Sequence, residues 1–199
     1  MAEPATRRVS IARTTKETDI RLVLDLEGAG HASVRTGVGF MDHMLTLFAV
    51  HGLFDLEIVA TGDTEVDDHH TVEDVGICLG MAFAQALGDK SGICRYGHAY
   101  VPMDEALARV CVDFSNRPHL HYQVQVSEGK IGTFDPPLAK EFLRAFVLHA
   151  GLTLHADLLH GENGHHILEA VFKATARAVA LAVAPHPKVK GQLSSKGVL

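Results

Sequence analysis

The order of apolar and polar positions predicts alternating strands and helices along most of the chain. Segments in which apolar and polar residues alternate are typical of strands that bury one face. Such strands are predicted at Val9–Thr14, Asp19–Leu26, Ala32–Thr36, Asp55–Thr61, Ala106–Asp113, Leu120–Val126 and Thr153–Leu159. Apolar residues spaced three and four apart predict helices at Phe40–Val50, His70–Leu87, Leu138–Ala150 and His166–Ala184.

These predicted elements occur in the same order twice. The series strand, strand, helix, strand, helix runs from Asp19 to Leu87 and again from Ala106 to Ala184. Local sequences agree as well, because His-His-Thr-Val-Glu at 69–73 matches His-His-Ile-Leu-Glu at 165–169. We therefore predict an internally duplicated α+β half-domain. Each copy would form a sheet with helices on one face, and the copies would pack helix layer against helix layer or side by side.

The duplication indicates a single domain over residues 1–199, made of repeats at about 7–92 and 93–187 and a C-terminal tail at 188–199. A chain of 199 residues with 47% hydrophobic residues can bury a sizeable core. The net charge of −6 argues against a general nucleic-acid binder. No apolar run approaches the roughly 18 residues of a membrane span, and residues 1–10 lack the apolar region of a secretory signal. We expect a cytoplasmic protein with reduced cysteines.

The doubled His-His-x-x-Glu motif is the strongest chemical signal. On a helix, His69 lies four residues before Glu73 and His70 lies three before it, so all three project from neighbouring positions. Roughly 0.05 copies of this motif are expected at random in such a composition. Adjacent histidines diverge by about 100° on a helix, so they can serve two different ions. Imidazole with carboxylate suits Mn, Fe, Zn, Ni or Co.

Further ligands could come from the helix that precedes each motif. His43 and Glu141 occupy near-equivalent places in the two repeats, nine residues before Gly52 and ten before Gly151. From the residues alone, His43 is either a metal ligand or an ordinary core histidine. Glu141 is more simply explained as a solvated charge on a helix face. We expect the other histidines to be structural or at the surface: His31, His51, His98, His119, His121, His149, His155, His160 and His186.

A second cluster of interest ends the chain. Ser194, Ser195, Lys196 and Gly197 combine hydroxyls, a cation and a flexible residue, which can bind an anion or simply form a frayed polar tail. Three basic residues elsewhere are candidates for phosphate contacts, namely Arg95, Arg117 and Lys173. Lys173 stands out because it follows Glu169 by four residues on the predicted metal face.

These motifs together resemble the imidazoleglycerol-phosphate dehydratase family. The resemblance rests on Gly-Phe-Met-Asp-His-Met-Leu at 39–45, Asp-Asp-His-His-Thr-Val-Glu-Asp at 67–74, Pro-Met-Asp-Glu at 102–105, His-His-Ile-Leu-Glu-Ala at 165–170 and Ser-Ser-Lys-Gly at 194–197. It extends from about Arg7 to Leu199, nearly the whole chain.

The resemblance implies a fold, an activity and a set of site residues. The fold is the duplicated ribosomal-S5-domain-2-like half-domain, and the activity is dehydration of imidazole glycerol phosphate to imidazole acetol phosphate in histidine biosynthesis. It implies Mn²⁺, two ions per active site, in a 24-subunit homo-oligomer with sites between subunits. The implied metal ligands are His43, His69, His70, Glu73, Glu141, His165, His166 and Glu169, although several relatives have His at the place of Glu141. Glu17, His70, Glu73, Asp104, His166 and Glu169 are implied as catalytic; Glu17, Arg95, Arg117, Lys173, Ser194, Ser195 and Lys196 are implied as substrate or phosphate contacts.

Three other classes of protein fit the sequence less well. A di-iron bundle uses Glu-x-x-His on four helices, whereas here the order is reversed and strands intervene. A zinc protease needs His-Glu-x-x-His, which the chain lacks. A metal-storage or metal-sensing protein explains the histidines but leaves Arg95, Arg117 and Lys196 without a role.

Overall fold

The computed structural model describes residues 7–127 and 129–199. The first half consists of β1 (Arg8–Thr14), β2 (Thr18–Asp25), β3 (Ala32–Arg35), α1 (Gly39–Gly52), β4 (Asp55–Gly62) and α2 (His69–Leu87). The second half consists of β5 (Tyr96–Met103), β6 (Ala106–Asp113), β7 (His119–Gln123), α3 (Pro137–Ala150), β8 (Thr153–His160) and α4 (Gly164–Val183).

Each half forms a mixed four-stranded sheet with the same topology. The strand orders are β1-β2-β4-β3 and β5-β6-β8-β7. In both sheets the last pair is parallel, β3 with β4 and β7 with β8, and the other pairs are antiparallel. The predicted α+β fold with an internal duplication is therefore confirmed.

The helices lie between the two sheets, which keep their outer faces exposed. Phe48 of α1, Phe83 of α2 and Phe146 of α3 meet edge to face, with ring centres 5.4–6.1 Å apart. Helices α2 and α3 approach closely because Gly76 has no side chain; a Cβ there would lie 2.7 Å from the Phe142 carbonyl oxygen. Of the two predicted arrangements, the helix layers thus pack against each other.

Strand β5 was not predicted, and its composition explains why. Its inward positions include Gly97 and Ala99, which are too small to produce an apolar alternation. Small residues are needed there because α4 lies directly against the strand: a Cβ on Gly97 would approach the Ala178 carbonyl oxygen to 1.9 Å. With β5 included, the second half copies the first element for element.

The remaining predicted boundaries hold to within a few residues, with one larger difference. Strand β7 ends at Gln123 rather than Val126, because its pairing with β8 ends where Gln123 meets Asp157. Residues 1–6, which carry the signal-peptide argument, lie outside the described part of the chain. None of the described helices is long and apolar enough to span a membrane.

Candidate metal centre

Three predicted ligands converge where α1 meets α4. The ligand atoms of His43, His165 and Glu169 lie within 4.8 Å of one another, and no other described residues form such a group of three. Oε2 of Glu169 lies 3.2 Å from Nε2 of His43 and 3.2 Å from Nε2 of His165. Two imidazoles therefore face one carboxylate oxygen.

Local structure holds these side chains in place. Helix α4 begins where the Asn163 side chain caps it by accepting hydrogen bonds from the backbone N–H groups of His165 and His166. His165 and Glu169 then lie one turn apart on the same face. The Phe40 ring packs edge to face against the His165 ring at 5.3 Å, which fixes that imidazole beside α1.

Glu169 is a nearly buried carboxylate, 6% exposed, with both oxygens engaged. Its Oε1 accepts a hydrogen bond from Lys173 at 2.5 Å, which leaves Oε2 facing the two imidazoles. Burial alone would raise the pKa of Glu169, but the contacts with Lys173 and His43 outweigh it and lower that pKa. The carboxylate is therefore held in the charged form that binds a cation.

His166 faces the β5–β6 hairpin instead of the three-residue group. Its Nδ1 lies 2.7 Å from Glu105 and its Nε2 lies 3.9 Å from Asp104. The hydrogen bond to Glu105 raises the pKa of His166 and lowers that of Glu105 to about 2. The Glu105 carboxylate holds the His166 ring through Nδ1, so that Nε2 faces away from Glu105. Hydrogen-bonded carboxylates orient metal-bound histidines in the same way.

The first repeat presents a similar set at the start of α2. His69 Nε2 lies 3.8 Å from Glu73, one turn later on the helix. His70 Nδ1 lies 3.0 Å from Asp63 at the end of β4, and this hydrogen bond raises the pKa of His70. Asp63 thus plays toward His70 the part that Glu105 plays toward His166. The start of α2 is capped differently from that of α4, because the Asp68 side chain makes no capping hydrogen bond and Asp67 accepts from the His69 N–H at 2.8 Å.

Glu17 and Glu141 belong to segments that contact β4 and α2, the elements that carry this first-repeat set. Glu17 is in the turn between β1 and β2, its carbonyl oxygen accepts from the Asp63 N–H at 3.1 Å, and its charge contributes to raising the pKa of His70. Glu141 is on α3 next to Phe142, whose carbonyl faces Gly76 of α2. Its carboxylate pairs with Arg144 at 3.3 Å and does not belong to the three-ligand group.

The predicted phosphate contacts gather at the opposite end of the second sheet. Arg95 is 7% exposed and donates two hydrogen bonds to Asp113, of 2.6 and 3.0 Å. It also donates to the Leu193 carbonyl at 2.5 Å, which anchors the tail. Arg117 lies 3.5 Å from Asp113. An open cleft of about 640 Å³ is lined here by Arg95, Tyr96, Lys188, Val189, Lys190, Gln192, Leu193, Ser194 and Ser195.

This cleft is far from the metal-binding group of the same chain. Arg95 precedes β5 while His166 contacts the hairpin after β5, and a strand of that length spans roughly 23 Å. Helix α4 gives a similar separation, because the Arg95 N–H donates to the Ala182 carbonyl, about 26 Å along the helix axis from His165. Lys173 belongs to the metal end instead. Apart from Lys173, one chain alone does not bring the predicted phosphate contacts to the predicted metal ligands.

Sequence reasoning did not single out Glu105 or Asp63, which orient His166 and His70. Glu105 adjoins Asp104 in a short hairpin and Asp63 ends a strand. Nothing local to either residue points to a histidine that lies 61 residues away in one case and seven in the other. Only the duplication could have suggested them, as one carboxylate per repeat beside the second histidine of each motif.

Comparison with known proteins identifies the family and agrees with this fold. The family model for imidazoleglycerol-phosphate dehydratase matches residues 36–179. The imidazoleglycerol-phosphate dehydratase of Desulfotalea psychrophila is 58% identical over 97% of this chain and 96% of its own. That of Methylibium petroleiphilum is 57% identical over 100% of both chains. A Staphylococcus aureus dehydratase structure is similar with a TM-score of 0.82 and 43% identity, covering 90% of this chain and 99% of its own.

A solved structure from Pyrococcus furiosus is also similar, with a TM-score of 0.83 and 38% identity over 95% of this chain and 100% of its own. Fold and site define a hydro-lyase built on a duplicated α+β half-domain, with histidine–carboxylate sets at its helix starts. The chain belongs to the imidazoleglycerol-phosphate dehydratase family. Its activity is a step of histidine biosynthesis.

Proposed function

We propose that the chain dehydrates D-erythro-imidazole glycerol phosphate to imidazole acetol phosphate in a metal-dependent reaction. The convergence of His43, His165 and Glu169 within 4.8 Å carries this proposal. These residues come from two helices of different repeats, and the carboxylate among them is nearly buried and charged. A buried carboxylate aimed at two imidazoles suits a cation better than it suits any apolar role.

The donor set fits manganese. Imidazole and carboxylate are borderline and hard ligands, and no thiol lies in the group to favour a softer metal. The two 3.2 Å separations also match neighbouring ligands on one octahedral ion, which lie roughly 3 Å apart when the bonds are near 2.1 Å. For two Mn²⁺ ions per active site we propose the ligands His43, His69, His70, Glu73, Glu141, His165, His166 and Glu169.

The reaction needs an electron sink, because the carbon-bound proton that leaves has no carbonyl beside it. Bound manganese would act as a Lewis acid that stabilises the deprotonated imidazole ring of the substrate, so that the ring itself accepts the electrons. The neighbouring hydroxyl then leaves as water, with the proton that this requires, and the electrons held in the ring form the new double bond. The proton transfers fall to the chain. We assign this role to Glu17, which lies in the exposed β1–β2 turn near His70. Asp104, on the hairpin beside His166, contacts the substrate in the equivalent place of the other repeat.

The substrate phosphate would bind in the cleft at the chain's end. Arg95 lines this cleft and supplies positive charge, and Ser194 and Ser195 supply hydroxyl donors. Arg117, which lies 3.5 Å from Asp113, and Lys196, which follows Ser195, would add positive charge beside it. Lys173 is better placed to hold Glu169 than to reach this cleft, since it lies at 2.5 Å from that carboxylate. Binding of the non-reacting phosphate would orient the ring at the metal ligands.

Because cleft and metal ligands lie at opposite ends of one chain, a complete site requires a neighbouring copy. We propose a homo-oligomer in which one subunit's cleft faces another's helix starts, in the 24-subunit, cytoplasmic form that the family resemblance implies. Ligands shared between subunits stabilise such an assembly by mass action. Light scattering is expected to show smaller particles after chelation; an unchanged large mass would count against this link.

Turnover of imidazole glycerol phosphate by chelator-treated protein tests the proposed function. We expect loss of imidazole acetol phosphate formation on metal removal and recovery on adding Mn²⁺. A titration with Mn²⁺, with and without a phosphorylated imidazole, separates the dehydratase from a metal-storage protein, because only the enzyme's metal affinity responds to the organic ligand. Full activity of metal-free protein would overturn metal dependence.

A further inference from the structure

The outer face of the second sheet carries three histidines that the dehydratase site does not use. His119 and His121 lie two residues apart on β7, so both point to the exposed face. His155 lies on the adjacent parallel strand β8, directly paired with His121. The His155 ring centre lies 5.1 Å from that of His121 and 5.9 Å from that of His119.

We propose that His119, His121 and His155 form a second metal site, for a divalent transition metal that prefers imidazole, such as Zn²⁺. Two imidazoles bound to one tetrahedral zinc, with Zn–N bonds near 2.1 Å, have ring centres roughly 5 Å apart. The observed separations from the shared His155 ring fall near that value. The His121 and His155 rings are stacked at 28°, however, and the nitrogens of the three rings do not converge in this structure. Closing the set requires the rings to turn their nitrogens toward a common point. Exposed side chains change rotamer within nanoseconds, so such a rearrangement is open to them.

The neighbours of the three rings favour a metal. Asp157 Oδ1 lies 3.5 Å from Nε2 of His121, and Arg109 holds the same carboxylate at 3.0 Å. A carboxylate beside a ring nitrogen orients metal-bound histidines in many sites. On the other side of His155, its partner on β6 is Cys111, an exposed thiol on the same face. Cys111 offers a fourth ligand of a type that zinc accepts.

This site differs in chemistry from the dehydratase centre. The outer set has three imidazoles, no carboxylate ligand and an adjacent thiol, which favours Zn²⁺, Ni²⁺ or Cu²⁺ over Mn²⁺. It also lies on the sheet face turned away from the helices that hold His43, His165 and Glu169. Ions at the two places can therefore be told apart by metal preference and by mutation.

Zinc binding to the chelator-treated full chain, followed by calorimetry, tests the proposal. We compare wild type with His155→Gln, with His165→Gln in the dehydratase centre, and with His98→Gln as a matched surface control. His98 lies on the same face, two strands away from His155, and pairs with Cys111, so this variant tests whether an imidazole beside the thiol alone accounts for zinc binding. His155→Gln should weaken one class of Zn²⁺ sites at least about tenfold, since even outer-shell changes cost that much. His98→Gln and His165→Gln should keep that class of sites.

Two further measurements make the result specific. The double variant His119→Gln with His121→Gln should lose the same class of sites as His155→Gln. Manganese-dependent turnover of His155→Gln should stay at the wild-type level, which separates this site from the dehydratase centre. If His155→Gln binds as many Zn²⁺ ions as wild type with the same affinity, the outer site does not exist.

Discussion

Lys173 places its ammonium nitrogen 2.5 Å from Oε1 of Glu169, one helical turn away on α4, and so leaves Oε2 free to face His43 and His165. The pair is largely buried, with 15% and 8% of the two side chains exposed. A single lysine therefore both compensates a buried charge and orients the carboxylate toward the proposed metal.

Removal of that lysine should destabilise the metal-free protein. Lys173→Met leaves the Glu169 charge buried without its closest counter-charge, a loss of about 3 kcal/mol in the free energy of unfolding at neutral pH. Denaturant unfolding of chelated protein measures it. Lys130→Met is the control, because Lys130 and Asp135 form an exposed pair worth well under about 1 kcal/mol. Equal losses in the two variants would show that the buried pair contributes no more to the free energy of unfolding than an exposed pair does.

The pH dependence of that difference has a definite sign. The pKa of Glu169 lies below its ordinary value in the folded state, so the carboxylate stabilises the fold above its unfolded-state pKa. This contribution is lost as the pH falls through the folded-state pKa. The gap in unfolding free energy between wild type and Lys173→Met should therefore shrink in acid. A gap that grows on acidification would mean that the pKa of Glu169 is raised instead.

The tail should act in catalysis despite its exposure. Charge-assisted hydrogen bonds contribute roughly 1.5 to 3 kcal/mol each, so Lys196→Ala should lower kcat/KM by about ten- to a hundredfold. Bound manganese should be unchanged, because Lys196 is a cation and is not among the proposed metal ligands. Lys130→Ala removes an exposed lysine that pairs with Asp135, outside both the tail and the cleft, and should keep wild-type kinetics. Wild-type kcat/KM in Lys196→Ala would show that the tail only packs on Arg95.

Mixed oligomers test whether the site is shared between subunits. Lys196→Ala impairs the cleft and Glu169→Gln impairs the metal end, and these lie at opposite ends of one chain. Chelated and reassembled together in equal amounts, the two variants should form intact sites at up to about a quarter of the wild-type number, since one subunit supplies each half. Activity no higher than the average of the separate variants would place the complete site within one chain.

The sequence predicts those parts of fold and site that depend on local spacing. His165 and Glu169 meet because residues four apart share a helix face, and the duplication marks His43 as a further candidate ligand. That His43 joins the motif of the other repeat, and not the motif that follows it in the chain, is visible only in the structure. Strand β5 was not predicted, because Gly97 and Ala99 must be small to fit against α4 and therefore do not produce an apolar alternation. The histidine group on β7 and β8 was not predicted for another reason. Helix α3 separates the two strands in sequence, and the register of their parallel pairing depends on the tertiary structure. We therefore expected His119, His121 and His155 to be ordinary surface residues, and their ring contacts are visible only in the structure.

Manganese content and turnover, measured on the same samples, test the central claim most directly. Three proteins are compared: wild type, Glu169→Gln, and Glu57→Gln, the same isosteric change at an exposed glutamate on the first sheet. We expect Glu169→Gln to lose bound manganese and at least about a hundredfold in turnover, since it removes a charged ligand. Glu57→Gln should match wild type in both. Wild-type turnover by Glu169→Gln, or by wild type stripped of metal, would contradict the account.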